Sequence, residues 1–276
     1  MSGNLKNKVL FITGASRGIG RAIALRAAKD GAKIAIAAKT TEPHPTLEGT
    51  IFSVANEIEQ AGGEALPLAV DVRDEARVEL ALSETAHRFG GIDILINNAS
   101  AINLSSTLDI PIKRFDLIFS VNVRATFLCS KLVIPHLKNS SNPHILNLSP
   151  PLSMNSKWFK PHVAYTMSKY GMSMCTLGMA DEFKSLGVAV NSLWPKTLIA
   201  TAAISVNFPK NLYQASRKPD IMADAAHIIL TSDSKKVTGQ FYVDEQVLRD
   251  HGVTDFGKYA LNPDVPLFPD LYVEEG

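Results

Sequence analysis

Short apolar runs alternate along this chain with longer segments in which apolar residues recur every three or four positions. The runs at 8–13, 33–38, 65–70, 92–96, 144–148, 188–193 and 240–243 predict strands, because they are brief and rich in Val, Ile and Leu. The periodic segments at 19–30, 51–61, 75–89, about 111–137, 162–185 and 223–230 predict helices. Gly31, Gly62-Gly63 and Gly90-Gly91 close the first three, as C-cap glycines do. Pro135 falls near the end of the fourth, where a break is tolerated. Strands alternating with helices predict an α/β fold: a doubly wound parallel sheet of about seven strands, with helices on both faces. Residues 1–244 form one such domain. In 245–276 the pattern stops, Pro263, Pro266 and Pro269 punctuate the chain, and acids outnumber bases. This extension is expected to pack on the domain or to be partly disordered.

Composition excludes several classes of function. With 28 basic and 27 acidic side chains among 276 residues, the net charge of +1 gives no electrostatic footing for nucleic acid or an anionic membrane. No apolar run approaches the roughly 20 residues needed to cross a bilayer. Residues 1–8 are polar and lack an apolar signal core, and 273–276 form no peroxisomal or retention address, so a cytoplasmic location is the default expectation. Cys129 and Cys175 both lie in apolar helical patterns and read as buried free thiols. The seven histidines make no metal-ligand spacing, so no metal is expected.

Chemistry enters at Thr13-Gly14-Ala15-Ser16-Arg17-Gly18-Ile19-Gly20, between the first strand and the first helix. Gly14 permits a tight turn, Gly18 lets backbone approach a pyrophosphate, and Gly20 lets helix and strand pack closely. The helix N-terminus then offers free N–H groups to phosphates. Sites for NAD usually place a carboxylate about 20 residues on. Here the second strand ends Ala37-Ala38-Lys39-Thr40, with no acid. Arg17 and Lys39 could meet a 2′-phosphate, so the expected cofactor is NADP. Asp71 and Asn97-Asn98-Ala99 follow the third and fourth strands, at the ends where such sheets bind ligands. Either segment also suits simple capping. Far downstream, Tyr165 and Lys169 lie four apart on a predicted helix and share a face. A phenol beside an ammonium suggests a proton donor next to a nucleotide.

These pieces, with Asn122 and Pro195, resemble the short-chain dehydrogenase/reductase family, a Rossmann-type fold, over about the first 245 residues. Within it, Ala37-Ala38-Lys39-Thr40, Ser149-Pro150-Pro151-Leu152, Trp158-Phe159-Lys160 and Trp194-Pro195-Lys196-Thr197 are similar to the reductase domain of hydroxysteroid-dehydrogenase-like proteins. The resemblance implies that Tyr165 gives its proton to a carbonyl oxygen. It implies that Lys169 lowers the phenol's pKa and holds the nicotinamide ribose, and that Asn122 holds a water leading from Lys169 to solvent. It adds Ser16, Ile19, Val72, Asn98, Ala99, Pro195 and Thr197 to the cofactor contacts.

The family's substrate-binding serine has no clear counterpart: Ser149 is the first candidate and Ser153 the second. Lys196 and Glu245 stand where glycines are common. The segment 197–213 falls where the family has a lid; Leu198, Ile199, Ile204, Val206 and Phe208, with Trp158, Phe159 and Trp194, suggest an apolar substrate or ordinary packing. A small-molecule substrate and a homodimer or homotetramer are expected by analogy. The reading is thus an NADPH-dependent oxidoreductase acting on a lipid- or steroid-like carbonyl. The alternative is a dinucleotide-binding regulatory or scaffold protein with little catalysis.

Overall fold

A computed structural model describes residues 3–274. Residues 1, 2, 275 and 276, which entered the question of cellular address, lie outside the described residues. Seven strands form one parallel sheet: β1 (Val9–Thr13), β2 (Lys33–Ala38), β3 (Glu64–Ala69), β4 (Ile94–Asn97), β5 (His144–Asn147), β6 (Ala189–Trp194) and β7 (Phe241–Val243). Their order across the sheet is β3-β2-β1-β4-β5-β6-β7. The chain therefore winds outward from β1 in one direction and returns to wind outward from β4 in the other.

Alternation along each strand divides the core into two. Leu10 and Ile12 of β1 and Ile34 and Ile36 of β2 face one layer, with α1 (Gly18–Ala28), α2 (Ile51–Gln60), α9 (Asp220–Thr231) and α10 (Asp244–Asp250). Val9, Phe11, Ala35 and Ala37 face the other, with α3 (Glu75–Phe89), α5 (Ala125–Leu137) and α6 (Val163–Glu182). The strands are thus apolar on both faces, as parallel sheets require.

The helix expected over 111–137 runs as α4 (Ile112–Ile118), a π-helical turn (Phe119–Arg124) and α5, with Pro135 inside the last turn and a half. This 26-residue run is long and apolar enough to cross a membrane by length and composition. Its Leu128, Cys129, Val133 and Leu137 are buried against the sheet, as in the core helix of a globular domain. Two short helices not apparent in the sequence, α7 (Ala202–Asn207) and α8 (Lys210–Gln214), follow β6.

After α10 the chain forms an arm that returns to the sheet's carboxyl end. Leu261 N–H donates to Ser216 O (3.0 Å), Phe268 N–H to Ala215 O (2.9 Å) and Asp270 N–H to Lys196 O (3.0 Å). Trp194 Nε1 donates to Leu271 O at 2.7 Å. Tyr272 is buried among Trp158, Tyr170 and Trp194, with ring centroids 5.5–5.9 Å apart.

His144 opens β5 at 1% exposure, its Nε2 3.1 Å from Ser232 O. Burial pushes its pKa from 6.5 down to about 4, because the low-dielectric interior disfavours the imidazolium. The unfolded chain then binds the extra proton between those values, so stability falls as pH drops from 6.5 towards 4. From pH 7 to 4.5 this group alone should remove about 2 kcal/mol. Urea unfolding of His144→Asn is expected to lose correspondingly less stability over that interval.

Candidate active site

The sheet's carboxyl edge opens where β1 and β4 lie side by side but send their following helices to opposite faces. A cleft of about 470 Å³ begins there, bordered by Gly14, Ser16, Arg17, Gly18 and Ile19. The turn needs its glycines for contact reasons. Gly14 sits at φ +67°, and a Cβ on it would lie 2.9 Å from Ala99 Cα. A Cβ on Gly20 would lie 2.5 Å from Asn98 Nδ2 and 3.0 Å from Ala15 Cα. The N-terminus of α1 receives no side-chain cap, so its first-turn N–H groups are left for another acceptor.

Farther along the cleft lie Lys39, Thr40, Asp71, Val72, Asn98 and Ala99. Arg17 Nη2 donates to Gly49 O at 2.9 Å, while its Nε is buried without a partner. Lys39 is mostly exposed and lies 3.9 Å from Asp71 Oδ2. Asp71, expected to meet an adenine amino group, is gripped by Arg73. The guanidinium bonds both carboxylate oxygens at 2.5–3.1 Å, the main cause of a pKa lowered to about 2.

The cleft leads into a smaller chamber of about 160 Å³, and Ile19, Asn98, Ser100, Thr201 and Ala203 border both. Tyr165 and Lys169, from the first two turns of α6, line it together with Leu148, Pro195 and Asp270. Leu198, Ile199, Ile204 and Phe208 close it, as a lid would; Val206 points to solvent. Trp158 and Phe159 do not border the chamber but pack behind Tyr165 with Tyr170 and Tyr272.

Lys169 Nζ donates to Leu148 O at 2.7 Å and sits 5.0 Å from the Trp194 ring centroid. Burial takes its pKa down to about 7, against a smaller upward pull from Asp270. Burial pushes the Tyr165 phenol well above 10, helped by Tyr272 and Asp270. The expectation that Lys169 lowers the phenol's pKa therefore meets a different field: the neighbouring groups that act on Tyr165 here all hold it protonated.

Three candidate residues sit elsewhere than expected. Ser149 Oγ pairs with Ser192 Oγ at 2.8 Å, fully buried. From Ser192 a buried polar chain continues through Thr176 and Asn147 to Asn97. Ser153 reaches Glu274 and the Tyr170 hydroxyl on the outer side. Neither serine lines the chamber. Thr197 borders neither space and pairs with Pro269 of the arm, its hydroxyl buried without a partner.

Asn122 lies in the π-helical turn and is fully buried. Its Oδ1 accepts from Ala101 N–H at 2.8 Å, and its Nδ2 donates to Ala101 O and Ser168 Oγ, both at 3.0 Å. It therefore ties the loop after β4 to α6. Sequence reasoning missed Thr201, beside Gly18 at the junction of cleft and chamber, and Asp270. Thr201 lay within the expected lid; Asp270 lay in a tail without any periodic signal.

Lys196 and Glu245, each a departure from glycine, are partners: Lys196 Nζ is 2.9 Å from Glu245 Oε1. Glu245 also takes Arg217 at 2.6 Å and Arg249 at 2.8 Å, with Glu245 and Arg217 both buried. These ions fasten the β6–α7 loop, the segment between α8 and α9, and α10 together.

Such a site, a glycine turn at the switch point of a doubly wound sheet with a buried Tyr and Lys beside it, defines a dinucleotide-dependent dehydrogenase architecture. The short chain dehydrogenase family model matches residues 8–210, and the chain belongs to that family, whose members are oxidoreductases that use a nicotinamide dinucleotide. It is 56% identical over 273 residues to hydroxysteroid dehydrogenase-like protein 2 of Danio rerio and 56% identical over 274 residues to that of Homo sapiens, covering 99% of this chain and 65% of each relative. The Rattus norvegicus protein is 57% identical, with 52% of its length spanned. A solved structure from Xanthomonas campestris described as a dehydrogenase superposes with a TM-score of 0.95 at 52% identity, over 99% of this chain and 100% of that one. A short chain dehydrogenase from Mycobacterium thermoresistibile gives 0.92 at 49% identity, over 98% and 96%.

Because Arg217 is buried, removing its acid strands a charge. Glu245→Ala should cost about 3–5 kcal/mol in denaturant unfolding. Lys196→Ala, at the half-exposed end of the same cluster, should cost less than about 1 kcal/mol.

Proposed function

We propose that this chain is an NADPH-dependent oxidoreductase that interconverts a carbonyl and an alcohol on an apolar, lipid- or steroid-like substrate, with Tyr165 as the proton donor or acceptor. The observation that carries the reading is that Tyr165 and Lys169 share a largely apolar chamber continuous with the glycine-turn cleft. Bound in that cleft, the dinucleotide would supply or accept the hydride. Its phosphates suit the uncapped N-terminus of α1 and the turn in which Gly14 and Gly20 leave no room for a Cβ. Ser16, Ile19, Val72, Ala99 and Pro195 border the path, and Lys169, which lines the chamber, would hold the nicotinamide ribose.

The phosphate preference rests on two cations, Arg17 in the glycine turn and Lys39 just after β2. Arg17 has a buried, unpartnered Nε, and Lys39 has its ammonium in solvent. The carboxylate nearest to Lys39, Asp71, is held by Arg73, which reduces its repulsion of a 2′-phosphate.

A buried phenol kept neutral is an acid ready to protonate a developing alkoxide. Lys169, with a pKa brought near neutrality, can carry charge or release it at little cost. Apolar walls from Ile102, Leu198, Ile199, Ile204, Phe208 and Met222 favour an apolar substrate and exclude water from the transfer. The names of the matching relatives point to steroid-like compounds. Assembly as a homodimer or homotetramer is supported by exposed Phe127 on α5 and Met167, Met174 and Leu177 on α6. One observation favours the regulatory reading: neither Ser149 nor Ser153 lines the chamber.

Two experiments test this reading. NADPH consumption over a panel of apolar ketones and aldehydes should fall by about 10²–10⁴-fold in Tyr165→Phe. Undiminished turnover removes Tyr165 from its role, and tight NADPH binding without turnover by the wild type selects the regulatory reading. Lys39→Asp should weaken NADPH by roughly tenfold, about 1.4 kcal/mol, and improve NADH in fluorescence titrations. An unmoved preference rejects the assignment to NADP.

A further inference from the structure

The chamber's polar groups can be sorted by what already engages them. Asn98, Ser100 and Thr201 are shared with the cleft, and the Asn98 amide is bonded to Thr13 O and Gly14 O. Lys169 donates to Leu148 O, and the Trp194 indole N–H to Leu271 O. Two polar side chains remain at the substrate end, Tyr165 and Asp270. Asp270 belongs to the C-terminal arm, outside the residues matched by the family model.

Its position is built. Asp270 N–H donates to Lys196 O at 3.0 Å, and Pro269 pairs with Thr197. Asp270 Oδ1 accepts from Leu271 N–H at 2.7 Å, and Oδ2 has no hydrogen bond among the described residues. The carboxyl is thus oriented by one oxygen and free at the other.

We propose that Asp270 is a substrate-binding residue, whose carboxyl donates to the substrate's carbonyl oxygen the second hydrogen bond that Ser149, bonded instead to Ser192, does not make. This rests on the carbonyl reading above. The charged and titratable groups facing the carboxyl are Lys169 and Tyr165 from α6, Tyr272 from the arm and Asp244 at the start of α10. Burial, opposed by the Leu271 N–H bond and by Lys169 and assisted by Asp244, raises its pKa to about 7, so below neutrality the carboxyl carries the proton it donates. A neutral carboxylic acid in an apolar site is a competent donor to an oxygen gaining charge.

The test compares wild type, Asp270→Leu, Asp270→Asn and Tyr165→Phe, using 2-decanone and acetophenone as probes. Turnover is read with NADPH, and ketone binding is read in the unreactive complex with NADP⁺. Asp270→Leu should lose roughly a hundredfold in kcat/KM while still binding NADP⁺, and Asp270→Asn, which keeps a donor, should recover most of that loss. Between pH 6 and 8.5 the wild type should lose more kcat/KM than the Asn variant, whose amide does not ionise. Wild-type kcat/KM in Asp270→Leu overturns the inference, and so does a loss that Asn fails to restore. Should the Leu variant fail to fold, equal pH responses of wild type and Asn overturn it. A wild type that neither binds nor reduces the probes, or a fully active Tyr165→Phe, defeats the carbonyl reading itself. Activity lost in Tyr165→Phe but kept in Asp270→Leu defeats only the role of Asp270.

Discussion

The clasp between the ends of β1 and β4 organises the molecule. Thr13 Oγ1 donates to Ile96 O and accepts from the backbone N–H groups of Asn98 and Ala99, all at 3.0–3.2 Å. The Asn98 side chain returns two bonds to Thr13 O and Gly14 O. Adjacent strands whose following helices leave on opposite faces would otherwise part freely at their carboxyl ends. The clasp sets how far they part. It holds the glycine turn against the loop after β4, and Asn122 carries that constraint onward to Ala101 and α6. Two elements distant in sequence, the turn at 13–20 and the helix bearing Tyr165, are thereby held in one frame.

Burial of charge gives the site its character. Around Glu245 the buried charges are matched: one carboxylate meets Lys196, Arg217 and Arg249, and the cluster behaves as a rivet. Around Lys169 they are not matched by contact. A buried amine and a partly buried carboxyl both have pKa values brought to about 7, each mainly by desolvation. Groups near their midpoint exchange protons with little free-energy change, which suits proton traffic and contributes little rigidity.

The sheet was legible in the sequence because parallel strands buried on both faces are nearly pure apolar runs. The observed strands begin and end within two residues of those expected. The glycine turn and the pair on α6 were legible because local spacing fixes their geometry. Failure came where geometry depends on distant partners. Counting along the chain brought Ser149 to the end of β5 but could not show that its hydroxyl turns towards Ser192 rather than the chamber. Lys196 and Glu245 read as two separate departures from glycine, since nothing in their 49-residue separation reveals a salt bridge. The short helices α7 and α8, and the arm, owe their conformation to the walls they complete and carry little periodicity of their own.

The arm has a consequence for how the molecule can change. The cleft is lined by residues 14–121 together with Thr201, Ala202 and Ala203, whereas the arm reaches only the chamber, through Asp270 and Leu271. Replacements at those two positions can therefore reshape one side of the chamber without altering any residue that borders the cleft.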